Sequence, residues 1–120
     1  MSQRILVVDD DQDMVYILKE TLQKFGFEVI TASDGIKALL LLKTHTPDLM
    51  IVDLTMPMMN GWKLTMKVRQ DERFLKTPII VLSGLLERDS EPEQFEAATA
   101  YVVKPFDIFE LIEKVKSYLA

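Results

Sequence analysis

Five short apolar segments recur along the chain, and each has the length of a β-strand. They cover residues 5–8, 27–32, 49–52, 79–82 and 101–103. Four of them are almost continuously apolar, which is typical of parallel strands that helices cover on both faces. The segment that starts at Phe27 mixes polar and apolar residues, and this pattern predicts a strand at the edge of a sheet.

Helical periodicity fills the stretches between these strands. Apolar residues at three- and four-residue spacing predict a first helix, which Gly26 ends in a left-handed conformation. Asp107, with an acid three residues later, forms an Asp version of the capping box and predicts the start of the last helix. Shorter helices are predicted over about residues 34–43 and 60–70, and about two helical turns are predicted from near Glu91.

This alternation of strands and helices predicts the fold class. Strand and helix alternate five times with no linker, repeat or low-complexity segment, so we expect a single domain over residues 1–120. Right-handed crossovers then give an α/β fold with a five-stranded parallel sheet in the flavodoxin-like order 2-1-3-4-5, in a three-layer sandwich. In such sheets the ligand site lies beyond the carboxyl ends of strands 1 and 3.

Composition narrows the classes of partner and compartment. The 120 residues are 48% hydrophobic, enough for one continuous core, and carry a formal net charge of -5. That charge disfavours nucleic acid or an anionic membrane surface as a direct partner. No cysteine is present, no apolar run approaches the roughly 20 residues that span a bilayer, and the N-terminus lacks a signal-peptide pattern. We therefore expect a cytoplasmic protein.

Polar residues stand where four of the predicted strands end. The first strand is followed by Asp9 and Asp10, the third by Asp53, the fourth by Ser83 and the fifth by Lys104. Three carboxylates in one crevice would repel each other unless they shared a cation, and oxygen-only donors favour Mg²⁺. A carboxylate beside Mg²⁺ can attack phosphorus while an ammonium and a hydroxyl stabilise the transferring oxygens. Asp53, Lys104 and Ser83 fit these catalytic roles.

These residues carry a resemblance that covers the whole chain. The sequence resembles the receiver domain of bacterial two-component response regulators, of the chemotaxis-regulator type, through five motifs in order. The motifs are Ile-Leu-Val-Val-Asp-Asp (5–10), Asp-Leu-Met-Ile-Val-Asp-Leu-Thr-Met-Pro (48–57), Asn-Gly (60–61), Val-Leu-Ser-Gly (81–84) and Tyr-Val-Val-Lys-Pro-Phe (101–106). Each motif alone is weak, and their combination at the right spacing is a strong signal.

The resemblance implies a role for each site residue. Asp53 would be the phosphorylated residue, and Asp10, Asp53 and the Thr55 carbonyl would bind Mg²⁺ directly. Asp9 would act on the same metal through a coordinated water. Ser83 and Tyr101 would form the pair that switches conformation. The Lys104–Pro105 peptide would be cis.

The implied function is a phosphoacceptor switch in a two-component phosphorelay, not an enzyme acting on external substrates. Its phosphodonor would be a sensor histidine kinase or a phosphotransfer protein, and its output partner or domain stays unidentified. A phosphorylation-linked homodimer is one arrangement that the resemblance allows. The family also implies that Thr55 and Leu85 flank the phosphoryl group, and we expect their side chains to lengthen the life of the phosphorylated state.

Other interpretations remain at this point. Asp10 or Asp11 alone would be read as an N-cap of the first helix. A haloacid-dehalogenase-type phosphatase shares the strand-end Asp and Mg²⁺, but it needs a second Asp where Thr55 stands. A flavin-binding module shares the strand order, although the acids after the first strand would repel a phosphate. A receiver-like protein that binds partners without phosphorylation is the third alternative.

Overall fold

The structure, a computed structural model, describes residues 2–84 and 97–120. Its strands are β1 (Arg4–Val8), β2 (Glu28–Ala32), β3 (Leu49–Asp53), β4 (Ile79–Ser83) and β5 (Ala100–Val103). The helices described are α1 (Gln12–Lys24), α2 (Gly35–Leu41), α3 (Gly61–Arg69) and α4 (Ile108–Leu119), with a 3₁₀ turn at Glu72–Phe74. The helix predicted near Glu91 lies outside the described residues, as does Leu85.

The strands form one sheet in the order β2-β1-β3-β4-β5, and every neighbouring pair is parallel. The predicted fold class and strand order are therefore confirmed. Since all the strands run in the same direction, their carboxyl ends meet along a single edge of the sheet. This edge is called the carboxyl rim below.

Two hydrophobic clusters, one on each face of the sheet, hold the layers together. On one face α1 and α4 pack against the sheet through buried Leu18, Leu22 and Val115. On the other face α2 and α3 bury residues such as Ala38 and Leu64. β3 and β4 are buried along their whole length between the two clusters, which explains their continuously apolar sequences.

The fifth strand differs from its prediction as a covered strand. β5 is an edge strand whose residues alternate, with Tyr101 44% exposed and Val103 42% exposed. The predicted strand order places this strand at an edge, but an apolar run of three or four residues is too short to show the alternation of exposed and covered residues. The edge position predicted for β2 is confirmed.

Short polar side chains cap the helices where the sequence places them. Asp11 caps α1 by accepting hydrogen bonds from the Asp13 and Met14 amides, and Asp107 caps α4 in the same way. Gly26 follows α1 with a φ of 92°, the left-handed conformation predicted for it. α2 is shorter than predicted and ends at Leu41. No helix within the described residues has the length and apolar character to cross a bilayer.

Candidate functional site

The carboxyl rim gathers the polar residues that follow four strands. Asp9 comes directly after β1, Asp53 is the last residue of β3, Ser83 is the last residue of β4, and Lys104 comes directly after β5. The strands β1, β3, β4 and β5 are neighbours in the sheet, so these side chains converge on one crevice. The sequence predicted this juxtaposition from strand order alone.

A cluster of three carboxylates forms the floor of the crevice. Asp9, Asp10 and Asp53 each place an oxygen within 4.8 Å of the others. Asp9 is 1% exposed and Asp53 5% exposed, whereas Asp10 is open to solvent. Asp11, the other acid of this turn, caps α1 instead, and its backbone amide donates to Asp9 Oδ1 at 2.9 Å.

Lys104 balances part of the negative charge. Its Nζ donates a hydrogen bond to Asp53 Oδ1 at 3.0 Å and lies 4.0 Å from Asp9 Oδ2. Burial opposes the charge on Lys104, but the hydrogen bond and the charge of Asp53, with smaller effects of Asp9 and Asp11, raise its pKa above the ordinary value. Lys104 therefore stays protonated beside Asp53 across the physiological range. The Lys104–Pro105 peptide is cis, as the resemblance implies.

One carboxylate oxygen of Asp9, Oδ2, is buried and accepts no hydrogen bond from the described residues. Burial raises the pKa of Asp9 to about 6, and the charges of Asp53 and Asp10 push it the same way. The Asp11 amide and Lys104 act in the opposite direction. Because Lys104 donates its hydrogen bond to Asp53, its ammonium lies 4.0 Å from Asp9 Oδ2 and offsets the charge of that oxygen only in part.

The donor set fits a hard divalent cation. Among the described residues, the possible ligand side chains at the cluster are all carboxylates, and Mg²⁺ and Ca²⁺ favour such oxygens whereas zinc sites favour nitrogen and sulfur. A cation there would satisfy the buried Asp9 oxygen and offset repulsion within the cluster. The site can therefore hold a divalent metal ion.

We predict that Asp9→Asn stabilises the metal-free protein at neutral pH. The pKa of Asp9 is about 6 in the folded protein and near 3.8 in the unfolded chain, so the folded protein binds the Asp9 proton more tightly. The protonated carboxyl therefore favours folding below about pH 3.8, and this stabilisation is lost as pH rises through about 6. A pKa difference of this size corresponds to roughly 2–3 kcal/mol. Urea unfolding in EDTA should show this gain at neutral pH and little near pH 4.

The control for this prediction is Asp13→Asn, which removes an exposed carboxylate outside the cluster and should not show the gain in stability at neutral pH. At neutral pH, Mg²⁺ should stabilise the wild-type protein more than it stabilises the Asp9→Asn variant, since the ion offsets the cost of the ionised Asp9 carboxylate. Equal stabilities of wild type and Asp9→Asn in EDTA at every pH would contradict the electrostatic cost assigned to Asp9.

Gly61 brings the start of α3 against the end of β3. Its amide donates to the Leu54 carbonyl at 2.8 Å, and Asn60 caps the helix by accepting from the Lys63 amide. A Cβ atom at position 61 would overlap the Asp53 carbonyl oxygen and lie 2.8 Å from Leu54 Cα. Sequence reasoning noted the Asn-Gly motif but could not find this contact, because no local pattern reports how closely two backbones approach.

The remaining predicted site residues lie around the same rim. Thr55 is exposed in the loop after β3, and Ser83 is only 4% exposed at the end of β4. Tyr101 pairs in register with Val81, two residues before Ser83, so the Ser83 and Tyr101 side chains share one face of the sheet. The metal contact of Thr55 and the switching roles of Ser83 and Tyr101 stay predictions.

Comparison with known proteins shows the family to which the chain is similar. Residues 5–116 match the family model described as the response regulator receiver domain. The chain is 39% identical over 119 residues to the transcriptional regulatory protein PrrA of Mycobacterium tuberculosis, covering 98% of this chain and 50% of that protein. The chain therefore spans about half the length of this regulator.

Solved structures of similar proteins share the fold over nearly the whole chain. The chemotaxis protein CheY4 of Vibrio cholerae is 32% identical with a TM-score of 0.87, over 98% of this chain and 99% of that one. The response regulator TrrA of Thermotoga maritima, solved in complex with Mg²⁺-BeF, is 38% identical with a TM-score of 0.85. That alignment covers 97% of this chain and 98% of TrrA.

Proposed function

The chain belongs to the response regulator receiver domain family, and we propose that it is a switch operated by phosphorylation of Asp53. The observation that carries the proposal is the hydrogen bond of 3.0 Å from Lys104 Nζ to Asp53 Oδ1 beside a cluster of three carboxylates. A nucleophilic oxygen, a fixed positive charge and a metal-binding cluster thus share one crevice, as phosphoryl transfer to a carboxylate requires.

The transfer itself needs little more than these groups. An Asp53 carboxylate oxygen forms a bond to phosphorus while the bond from phosphorus to the donor's imidazole nitrogen breaks, and the released imidazole takes up a proton. The Lys104 ammonium, already held at the carboxylate, faces the negative charge of the transferring oxygens. The Ser83 hydroxyl at the end of β4 supplies a hydrogen bond to a phosphoryl oxygen in this proposal.

A divalent ion is part of the proposed site. Asp10, Asp53 and the Thr55 carbonyl would hold Mg²⁺ directly, with Asp9 acting through a bound water. Mg²⁺ would neutralise charge on the phosphoryl oxygens and on the carboxylate cluster. Support comes from the buried Asp9 Oδ2, which accepts no hydrogen bond from the described residues, and from the three carboxylates that lie close together. In addition, TrrA, a relative with the same fold, was solved with Mg²⁺-BeF.

The switch is proposed to pass from Ser83 to Tyr101. A phosphoryl group on Asp53 would draw the Ser83 hydroxyl towards it and leave space that the Tyr101 ring can fill, changing a partner-binding face around β5. Receiver domains act as signalling switches rather than as classical enzymes. We further propose that the phosphodonor is a histidine kinase or a phosphotransfer protein and that the switch acts on an output domain or partner. The proposed location is the cytoplasm.

The test is chemical phosphorylation of the purified protein. Incubation with acetyl phosphate and Mg²⁺ should add one phosphoryl group, detected by intact-mass measurement, and EDTA should suppress the labelling by at least about tenfold because the metal offsets charge at the reacting oxygens. Potassium acetate in place of acetyl phosphate is the control for nonspecific mass changes. Labelling that proceeds equally well in EDTA would remove the metal from the proposal.

The labelled sample also tests the switch. Amide hydrogen exchange should change at β5 when Asp53 is phosphorylated, because Tyr101 would move from an exposed position towards the space beside Ser83. β2, at the opposite edge of the sheet, is the internal control and should exchange at the same rate in both states. An unchanged β5 with changes elsewhere would refute this route.

A further inference from the structure

Met58 forms the tip of a tight turn in the loop that starts at Asp53. The Met59 amide donates to the Pro57 carbonyl at 2.7 Å across Met58, whose φ is 70°. This combination is the geometry of a γ-turn with positive φ at its centre, which is rare and strained. Within residues 2–84 and 97–120, Met58 is the only residue other than glycine with a positive φ.

The Met58 side chain points into solvent, and its two neighbours in the chain restrict the turn. The Met58 side chain is 77% exposed, the largest exposure among the large apolar residues described. Pro57 restricts the backbone on one side. On the other side the Met59 side chain lies against Gly35, where an added Cβ atom would be 2.9 Å from Met59 Sδ. The loop therefore presents an apolar side chain to solvent between a proline and a residue that packs against Gly35.

Folding alone gives no reason for methionine at this position. Glycine adopts a positive φ without steric cost, whereas a side chain there destabilises the fold, and an exposed side chain gains little from burial. Residues held in sparsely populated backbone conformations are concentrated at functional sites. Methionine is a common choice where an apolar surface must adapt to a partner.

The position of Met58 indicates which partner it would meet. Asp53 is 5% exposed, so a protein donor must approach the carboxyl rim closely to bring phosphohistidine to it. The loop carrying Met58 begins at Asp53 and borders this approach. A small donor such as acetyl phosphate reaches Asp53 without covering the loop. A contact at Met58 would therefore favour a protein donor over a small molecule.

We propose that Met58 is a specificity-determining residue that anchors the phosphohistidine-bearing donor protein over Asp53. This inference rests on the proposed function. The Met58 side chain would enter an apolar depression on the donor, and the hydrogen-bonded turn that holds its backbone would limit the entropy lost on binding. Met58 takes no part in the chemical step, so its effect should fall on recognition of the donor.

The test compares a protein donor with a small one. Histidine kinases of the source organism are purified and autophosphorylated with ATP, and the kinase that transfers fastest to the wild type serves as the probe. Met58→Gly should raise the KM for this kinase about tenfold, as expected for truncation of an anchor residue, with kcat little changed. The ratio of kinase transfer to acetyl phosphate labelling should fall by the same factor.

Two further variants separate docking from structure. Met58→Leu keeps an apolar side chain of similar size and should restore most of the transfer rate. Leu75→Ala removes another exposed apolar side chain, 58% exposed and close to the amino end of β4, and should leave the ratio at its wild-type value. The melting temperature of Met58→Gly should be no lower than that of wild type, because glycine relieves the strained backbone.

The outcomes separate this inference from the function on which it rests. The proposed function itself would be contradicted if the wild type accepted no phosphate from acetyl phosphate, or if none of the kinases transferred phosphate to it. A wild type that accepts phosphate from both donors, with an unchanged ratio in Met58→Gly, would overturn only the role of Met58. Equal losses with both donors in Met58→Gly would also overturn it, because they would place Met58 in the chemistry.

Discussion

Asp53→Asn is expected to abolish phosphoryl labelling by acetyl phosphate, with a loss of at least about a hundredfold in rate. The amide that replaces the carboxylate is a poor nucleophile and carries no charge to help bind a metal. The variant should still fold, because Lys104 Nζ, now 3.0 Å from Asp53 Oδ1, can donate to an amide oxygen in the same place. Intact-mass measurement over time gives the rate, and peptide mapping of the wild type locates the group.

Asp34→Asn is the matched control for this loss. Asp34 caps α2 by accepting a hydrogen bond from the Lys37 amide, and asparagine serves equally well as an N-cap. This control removes one carboxylate from the chain without touching Asp9, Asp10 or Asp53, so its labelling rate should match that of wild type. Labelling of Asp53→Asn at the wild-type rate, or mapping of the group to another acid, would remove Asp53 from the proposed role.

Gly61→Ala is expected to destabilise the fold by about 3 kcal/mol, the upper end of the usual cost of overpacking. The added methyl group would overlap the Asp53 carbonyl oxygen and press on Leu54 Cα at 2.8 Å. Both are backbone atoms at the end of a buried strand, so neither can rotate away as a side chain would. Urea denaturation followed by circular dichroism measures the loss, and a lower labelling rate should accompany it because Asp53 would shift.

Gly35→Ala provides the comparison, since Gly35 is also the first residue of a helix directly after its N-cap. The three atoms nearest to its added methyl group all belong to the Met59 side chain, with Sδ the nearest at 2.9 Å. A flexible thioether can move, so we expect a loss of about 1 kcal/mol or less. Equal stabilities for Gly61→Ala and wild type would show that α3 can move away from β3 at little cost.

Family membership bears differently on the alternatives that the sequence left open. Membership in the receiver family argues against both the phosphatase and the flavin-binding interpretation. It does not by itself exclude a receiver that binds partners without phosphorylation, which is why labelling of Asp53 is the decisive measurement. The output also stays a proposal, because the chain spans about half the length of regulators such as PrrA.

Much of the fold and most of the site residues could be predicted from the sequence. Buried parallel strands need continuous apolar residues, helix ends need caps such as Asp11 and Asp107, and a glycine such as Gly26 readily adopts the left-handed conformation that ends a helix. These requirements act on residues close together in the chain. Once the strand order was inferred, placing Asp9, Asp53 and Lys104 at one rim followed from the parallel direction of the strands.

The tertiary structure decided the features that depend on contacts between distant parts of the chain. α3 lies so close to β3 that a Cβ atom at Gly61 would overlap the backbone, and the buried Asp9 Oδ2, which accepts no hydrogen bond from the described residues, would be stabilised by a cation. The positive φ of Met58 depends on a turn that its neighbours close. Burial, electrostatic fields and close backbone approach arise only when the layers pack, so no local sequence pattern records them.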